Sequence, residues 1–452
     1  MLSQPRMAHD QRRLRSDRAT LFLRDDNTVE HIVAEGDVES EMHGASNATA
    51  QADRGELFLT GSQNLLTMAV LSGSVKLAAQ GERPAQAEAG RVTLHFAGKQ
   101  ILQTVHAEDG VRLTQRKVET ASAGGRVGPA LSGAEGTPVS PLAENAQEVE
   151  MSAPVMDFAV KDGHRIESAV TSGPPQIVIT QPGVSQRTVV TAAQFTASFT
   201  ERNRLANLHG APDARIVSSK AGQPDRVSTS QSLDVAFRPE GGIASIVQQG
   251  ELAYVDGTLK AWAQRATYSP ADQMLILNGS PRVVDSGMTT TADLMRMNRG
   301  TGDASAEGNV KSTYSELKVQ PDGGMLASAD PIHVTSRSMT AHRSAGVAVY
   351  SGNAVLWQDA NVVQAPTLEF DREQRSLVAR GTASQPVSTV LVQVDKNGKA
   401  TPVAITSAHL MYKDAERGKI TGDSLTFYKR DDRVLVEGKE TSPTVTRTQV
   451  AR

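Results

Sequence analysis

The ten histidines stand singly, at positions 9, 31, 43, 95, 106, 164, 209, 333, 342 and 409, and no pair has a metal-ligand spacing such as His-x3-His. His95 falls on the outer side of an alternating run, where a solvated surface histidine is expected rather than a ligand. The chain has no cysteine, which removes thiol nucleophiles, disulfides and zinc-thiolate sites. It also lacks a Gly-x-Ser-x-Gly elbow, a phosphate-cradling Gly-rich loop and a Gly-x-Gly-x2-Gly after a strand. Carboxylates are plentiful, but no spacing singles out two of them as acid and base. The sequence therefore reads as no enzyme, with no catalytic residue, no metal site and no cofactor.

What does recur at a fixed spacing is apolar. Leu233, Val235, Phe237, Ala266, Tyr268, Leu275, Met295, Met297, Leu368, Phe370, Leu425 and Phe427 are the expected inward residues of the clearer repeats. The chemistry open to such a set is retention of a hydrocarbon chain, since burying one methylene is worth about 0.8 kcal/mol. An even aliphatic lining would bind a chain almost equally at successive positions and so let it slide. The plainer reading is that the same residues pack against each other as a sandwich core.

The elements that must position them are read from an internal repeat. AQRATYSPADQMLILNGSPRV begins at Ala263 and ADLMRMNRGTGDASAEGNVKS begins at Ala292. Each opens with Ala, carries a large residue five positions on (Tyr268, Met297), crosses a polar turn and reaches a Gly eleven positions after that residue (Gly279, Gly308). The same offset links Phe199 to Gly210, Ala341 to Gly352, Phe370 to Gly381 and Phe427 to Gly438. Looser copies end at Gly36, Gly73, Gly110 and Gly250, and such periodicity decides the architecture. Gly inside a strand pattern marks a bulge or sharp bend. Each of these ten glycines is thus expected to be a corner at which a strand folds onto a second wall.

Alternation with period two is clear in RVTLHF, where Val92, Leu94 and Phe96 point one way. No stretch reads as a convincing amphipathic helix. The expected fold is all-β: a repeated antiparallel β-jellyroll of about twenty short strands in two facing walls. Five segments are expected. Residues 1–18 form a disordered basic tail, 19–116 an N-terminal module, 117–149 a flexible Gly/Ala/Pro/Ser linker, 150–442 a C-terminal repeat array, and 443–452 a tail.

The repeat, Ala-x2-(Ala/Leu/Met)-x-aromatic, polar turn, then Leu-x-Leu-x-Gly-x-Val, resembles that of the OstA-like family of lipopolysaccharide-transport (Lpt) proteins. AEGNV (306–310), AEGDV (34–38) and ATYSPADQMLILNG (266–279) carry the likeness best. Members of that family fold as a V-shaped β-jellyroll, or "β-taco", with a groove for the acyl chains of lipid A. The resemblance implies a non-enzymatic lipid conduit between inner and outer membrane, with lipopolysaccharide or a related lipid as cargo. It implies other Lpt-type β-jellyroll proteins as partners, joined by edge-strand addition, and a periplasmic location.

The chain is far longer than a single bridge protein of that family. Its N-terminus has Arg6, Arg12, Arg13, Arg15 and Arg18 but no apolar core of a signal peptide, so that the location rests on the resemblance alone. A net charge of -3 gives no broad footprint for nucleic acid. Two other classes share a repetitive β composition: a parallel β-helix acting on polysaccharide, and a structural or adhesive surface protein.

Overall fold

The structure is a computed structural model. It describes residues 6–9, 12–42, 48–79, 85–98, 100–116, 148–181, 185–239, 242–315, 326, 328–342, 346–371, 374, 376–394, 400–413, 419–422, 425–428, 433–436 and 445–447. Among these the only regular element is the β-strand, in 37 segments, and the pairings between them whose register is resolved are antiparallel. An all-β antiparallel jellyroll is thus what the chain forms. The parallel β-helix is not, because its coils would pair strands in parallel. More segments appear than the twenty expected.

The chain divides into two compact units, 1–246 and 247–452. In the N-terminal unit, Val29–Met42, Ala48–Thr60, Leu65–Ala79 and Ala85–Ala97 are long strands that bend in the middle. The register with the neighbour slips at each bend, between Glu35 and Val38, between Gln51 and Arg54, and between Ser72 and Val75. One half of each strand joins a first wall and the other half a second. Further on, the crossing is made by pairs of short strands, as with Ile101–Glu108 and Val111–Arg116.

The bend has a simple backbone cause. Gly36-Asp37, Gly73-Ser74, Gly250-Glu251, Gly279-Ser280, Gly308-Asn309 and Gly352-Asn353 each place two consecutive residues at positive φ. Gly tolerates this conformation and Asn and Asp resist it least. A Cβ on Gly36 would also lie 2.7 Å from Asp17 Oδ2, and one on Gly308 would collide with Asp293 Oδ2. The residues two positions either side of the Gly turn inward and are buried, as in Ala34/Val38, Leu71/Val75, Ala306/Val310 and Tyr350/Ala354. These pairs form the seam where the two walls meet.

Gly110 also has positive φ, whereas Gly210 and Gly381 do not. Gly210 leaves room for the ring of Phe195, whose Cε1 would lie 2.6 Å from an added Cβ. Gly381 sits tight against the backbone of Val387 and Ala408. Gly438 lies outside the described residues.

Strand pairing extends into both segments read as tails. Arg12–Arg15 is a strand within the segment read as a tail, paired with Glu39–Met42 so that Arg13 faces Glu41 and Arg15 faces Glu39. Opposite charges directly across an antiparallel pair favour that order. Residues 117–147 lie outside the described residues, but the strands on either side are neighbours in one wall, with Arg116 opposite Glu148. The segment is therefore an insertion between adjacent strands and not a joint between modules. Residues 443–444 and 448–452 are outside the described residues, and 445–447 pair with Ala404–Thr406.

Candidate lipid-binding interior

Because each wall is pleated, every second residue of a strand faces the space between the walls, and strand register sets which of them become neighbours. In the first wall of the N-terminal unit one such cross-strand row runs Leu21, Ile32, Leu57, Ala69, Leu94, Val105 and Phe158. It continues through Ala169, Ala197, Leu208 and Val235. Every member is apolar. The facing row of the second wall runs Ala50, Leu77, Ala87, Leu113, Met151, Ile177, Val190 and Ile216.

These rows lie one step further from the seam than the pairs that flank the corner glycines. There most of the large side chains of the first strands are only half-covered, although Ile32 is buried. Leu57, Leu77, Leu94, Val105, Leu113, Met151 and Phe158 are all intermediate in exposure, although Val75, Val92 and Met156 beneath them are buried. On the edge strand Arg18–Leu23, Leu21 is 51% and Leu23 55% exposed. Further along the same unit the row closes, with Ala197 and Leu208 buried.

The C-terminal unit has the same rows with a different degree of closure. The positions singled out in the sequence fall on two adjacent rows of its first wall. Ala266, Leu277, Met295, Ala306, Met339, Tyr350 and Leu368 make one. Tyr268, Leu275, Met297, Ala304, Ala341, Ala348, Phe370, Leu377 and Tyr412 make the other. Ala266, Leu275, Met295, Leu368 and Phe370 are buried in one continuous cluster, against which Tyr268 and Met297 are half-buried.

The facing row of the second wall is buried from Ala261 to Ile405 and includes Thr290, Ser312 and Thr389. Tyr314 of this wall meets Tyr350 of the other, their hydroxyls 2.6 Å apart, and its ring packs edge-on against Phe370 at 4.8 Å. Leu233 and Val235 are buried in the cluster of the N-terminal unit, with Phe237 half-buried beside them. Leu425 and Phe427 lie on the strand Leu425–Tyr428, whose side chains are outside the described residues.

The sequence reading missed Leu57, Leu94, Val105 and Phe158, the half-covered part of the interior. Their repeats end in looser offsets, but RVTLHF already showed the alternation that aims Leu94 inward.

The outer faces carry the polar chemistry. His95 is exposed on its strand. His106 Nδ1 lies 2.6 Å from Asp157 Oδ1 on the adjacent strand and Nε2 3.6 Å from Glu108. The hydrogen bond to Asp157 holds the imidazolium above its ordinary 6.5, against a smaller loss from burial. A shallow depression of about 270 Å³ lies at the Gly279 corner beside Trp262 and Gln264. No group of three or more His, Asp or Glu placed to hold a metal ion occurs among the described residues. No helix among them is long and apolar enough to cross a membrane.

Fold and interior together define a class: antiparallel β-jellyroll units whose two walls enclose apolar rows, partly open in one unit. No family model matches the sequence, and no curated protein matches it either. Among solved structures, the chain is similar to LptH of Pseudomonas aeruginosa, described as the LptA-homologous periplasmic component of its lipopolysaccharide transport device. The two are 12% identical, the match covers 32% of this chain and 92% of that one, and the TM-score is 0.24. A likeness at that score says nothing of what this chain binds.

Proposed function

We propose that this chain is a non-enzymatic carrier of lipopolysaccharide or a related lipid, taking acyl chains into the half-open interior of its N-terminal unit. The observation that carries this reading is the unbroken apolar row from Leu21 to Phe158, in which Leu57, Leu94, Val105 and Phe158 are only half-covered although Ile32 is buried. A row that serves only as core is covered at this depth, as the second-wall row from Ala261 to Ile405 is in the C-terminal unit. The resemblance of the repeat to the OstA-like family supplies the class of cargo. Aliphatic side chains at strand spacing offer a long chain successive sites of similar affinity and no hydrogen-bonding group that would fix it in place.

In this reading Leu57, Leu94, Val105 and Phe158 on one wall and Leu77, Leu113 and Met151 on the other touch the lipid. Ala266, Tyr268, Leu275, Met295, Met297, Leu368 and Phe370 serve as core. The strand Arg18–Leu23 pairs with one neighbour among the described residues, and its apolar edge is where another Lpt-type β-jellyroll would add a strand in the periplasm.

Binding of defined lipopolysaccharide to the purified chain tests the proposal. Leu94→Ser should remove about 1–2 kcal/mol of apolar contact and so weaken binding about tenfold, while an outer-face change, Lys76→Ser, should leave it unaltered. Absence of binding in the parent chain favours a structural or adhesive role and ends the carrier reading.

A further inference from the structure

The C-terminal unit has the same apolar rows as the N-terminal one, yet its walls are tied across the middle. Tyr314 and Tyr350 come from opposite walls and share a hydrogen bond in the interior, where Tyr350 is fully buried. Phe370 packs edge-on against Tyr314. Leu326 is also fully buried, and its backbone N–H donates to the hydroxyl of Tyr412 at 3.3 Å. Thr290 and Ser312 form a second buried hydroxyl pair at 3.0 Å.

An alkyl chain offers none of these groups a hydrogen bond. To lie between the walls it would have to part the tyrosines and leave buried hydroxyls short of partners, which opposes entry. In the N-terminal unit the first step from the seam, where the C-terminal unit has Thr290 and Ser312, carries Leu77, Leu113 and Met151, half-covered and without a polar atom to satisfy.

We propose that the Tyr314–Tyr350 contact, with Phe370 packed on Tyr314, is a lock that bars acyl chains from the C-terminal interior and confines the cargo to the N-terminal unit. The inference rests on the carrier reading for its cargo but not for its lock. The lock makes the C-terminal unit a support and the N-terminal unit the carrier, so that lipid does not run the length of the chain.

The test is photolabelling of the full chain with a diazirine-bearing palmitic acid, followed by mapping of adducts by mass spectrometry. Adducts are expected on Leu57, Leu94, Met151 and Phe158, and at least tenfold fewer on Met339, Leu368 and Phe370. In the Tyr314→Phe/Tyr350→Phe double variant the second group should gain label severalfold. Equal labelling of both groups in the parent chain overturns the lock and leaves the carrier reading standing.

Labelling of neither group overturns the carrier reading instead, and the lock is then judged without lipid. Alkaline absorbance titration of the parent chain against the double variant isolates the two tyrosines. Burial raises Tyr350 above its ordinary 10, so in the lock its hydroxyl ionises above that value. Ordinary titration of Tyr350 would overturn the lock.

Discussion

A corner in these walls depends on single residues whose replacement is informative because the backbone, and not the side chain, sets the cost. Gly308 has a φ of +74° and faces Asp293, whereas Gly98 has a φ of +58° with open space where a Cβ would go. Gly98→Ala should cost only the left-handed conformation, about 1 kcal/mol, while Gly308→Ala adds a collision with Asp293 and should cost clearly more. Urea midpoints of the two variants, at equal slope, compare them directly. On the outer face, His106 gives a pH-dependent test with a definite sign. Its folded value is raised, so the stabilisation it confers is fully present below the unfolded value near 6.5 and is lost as pH rises through the folded value. The melting difference between the parent chain and His106→Gln should be largest near pH 6 and shrink toward pH 9. A difference that grows with pH would exclude the Asp157 contact as its source.

Strands and their connections show how far sequence alone reaches. Alternation and the recurrent Gly were visible, because a bend with two residues at positive φ restricts residue type strongly at Gly308-Asn309 and Gly352-Asn353. Closure of the interior was not visible. Thr290, Ser312 and Thr389 read as polar, and only the register that stacks them between Val283 and Val334, or beside Val363, shows that they are buried. Nor could composition separate a linker from an insertion. The run 117–149 has few large apolar residues in either case, and the distinction lies in Arg116 standing opposite Glu148. That pairing makes a prediction at this scale. Replacing 117–147 with a four-residue turn should preserve both walls and, by shortening the closed loop, stabilise the N-terminal unit by about 1–2 kcal/mol. If these residues instead joined independent modules, the short turn would strain the flanking strands and lower the midpoint.

At the scale of the whole molecule, the division after Ile246 separates two apolar interiors, one of Phe195, Leu208 and Leu233 and the other of Leu277, Tyr350 and Phe370. Repeat arrays hold together through nearest-neighbour interfaces, so cooperativity falls where one interior stops and another begins. Calorimetry of the full chain should therefore show a van't Hoff enthalpy smaller than the calorimetric one. Point variants assign the transitions. Tyr350→Phe removes a buried hydroxyl hydrogen-bonded to Tyr314 and Ser312, worth about 1–2 kcal/mol, and should lower only the transition of the C-terminal unit. Met156→Ala removes a buried side chain from the seam of the N-terminal unit, at about 2–4 kcal/mol, and should lower only the other. A bound acyl chain stabilises whichever unit holds it. Saturating lipid should then raise the transition sensitive to Met156→Ala and leave the one sensitive to Tyr350→Phe in place. Movement of both together would mean that the two interiors unfold, and bind, as one.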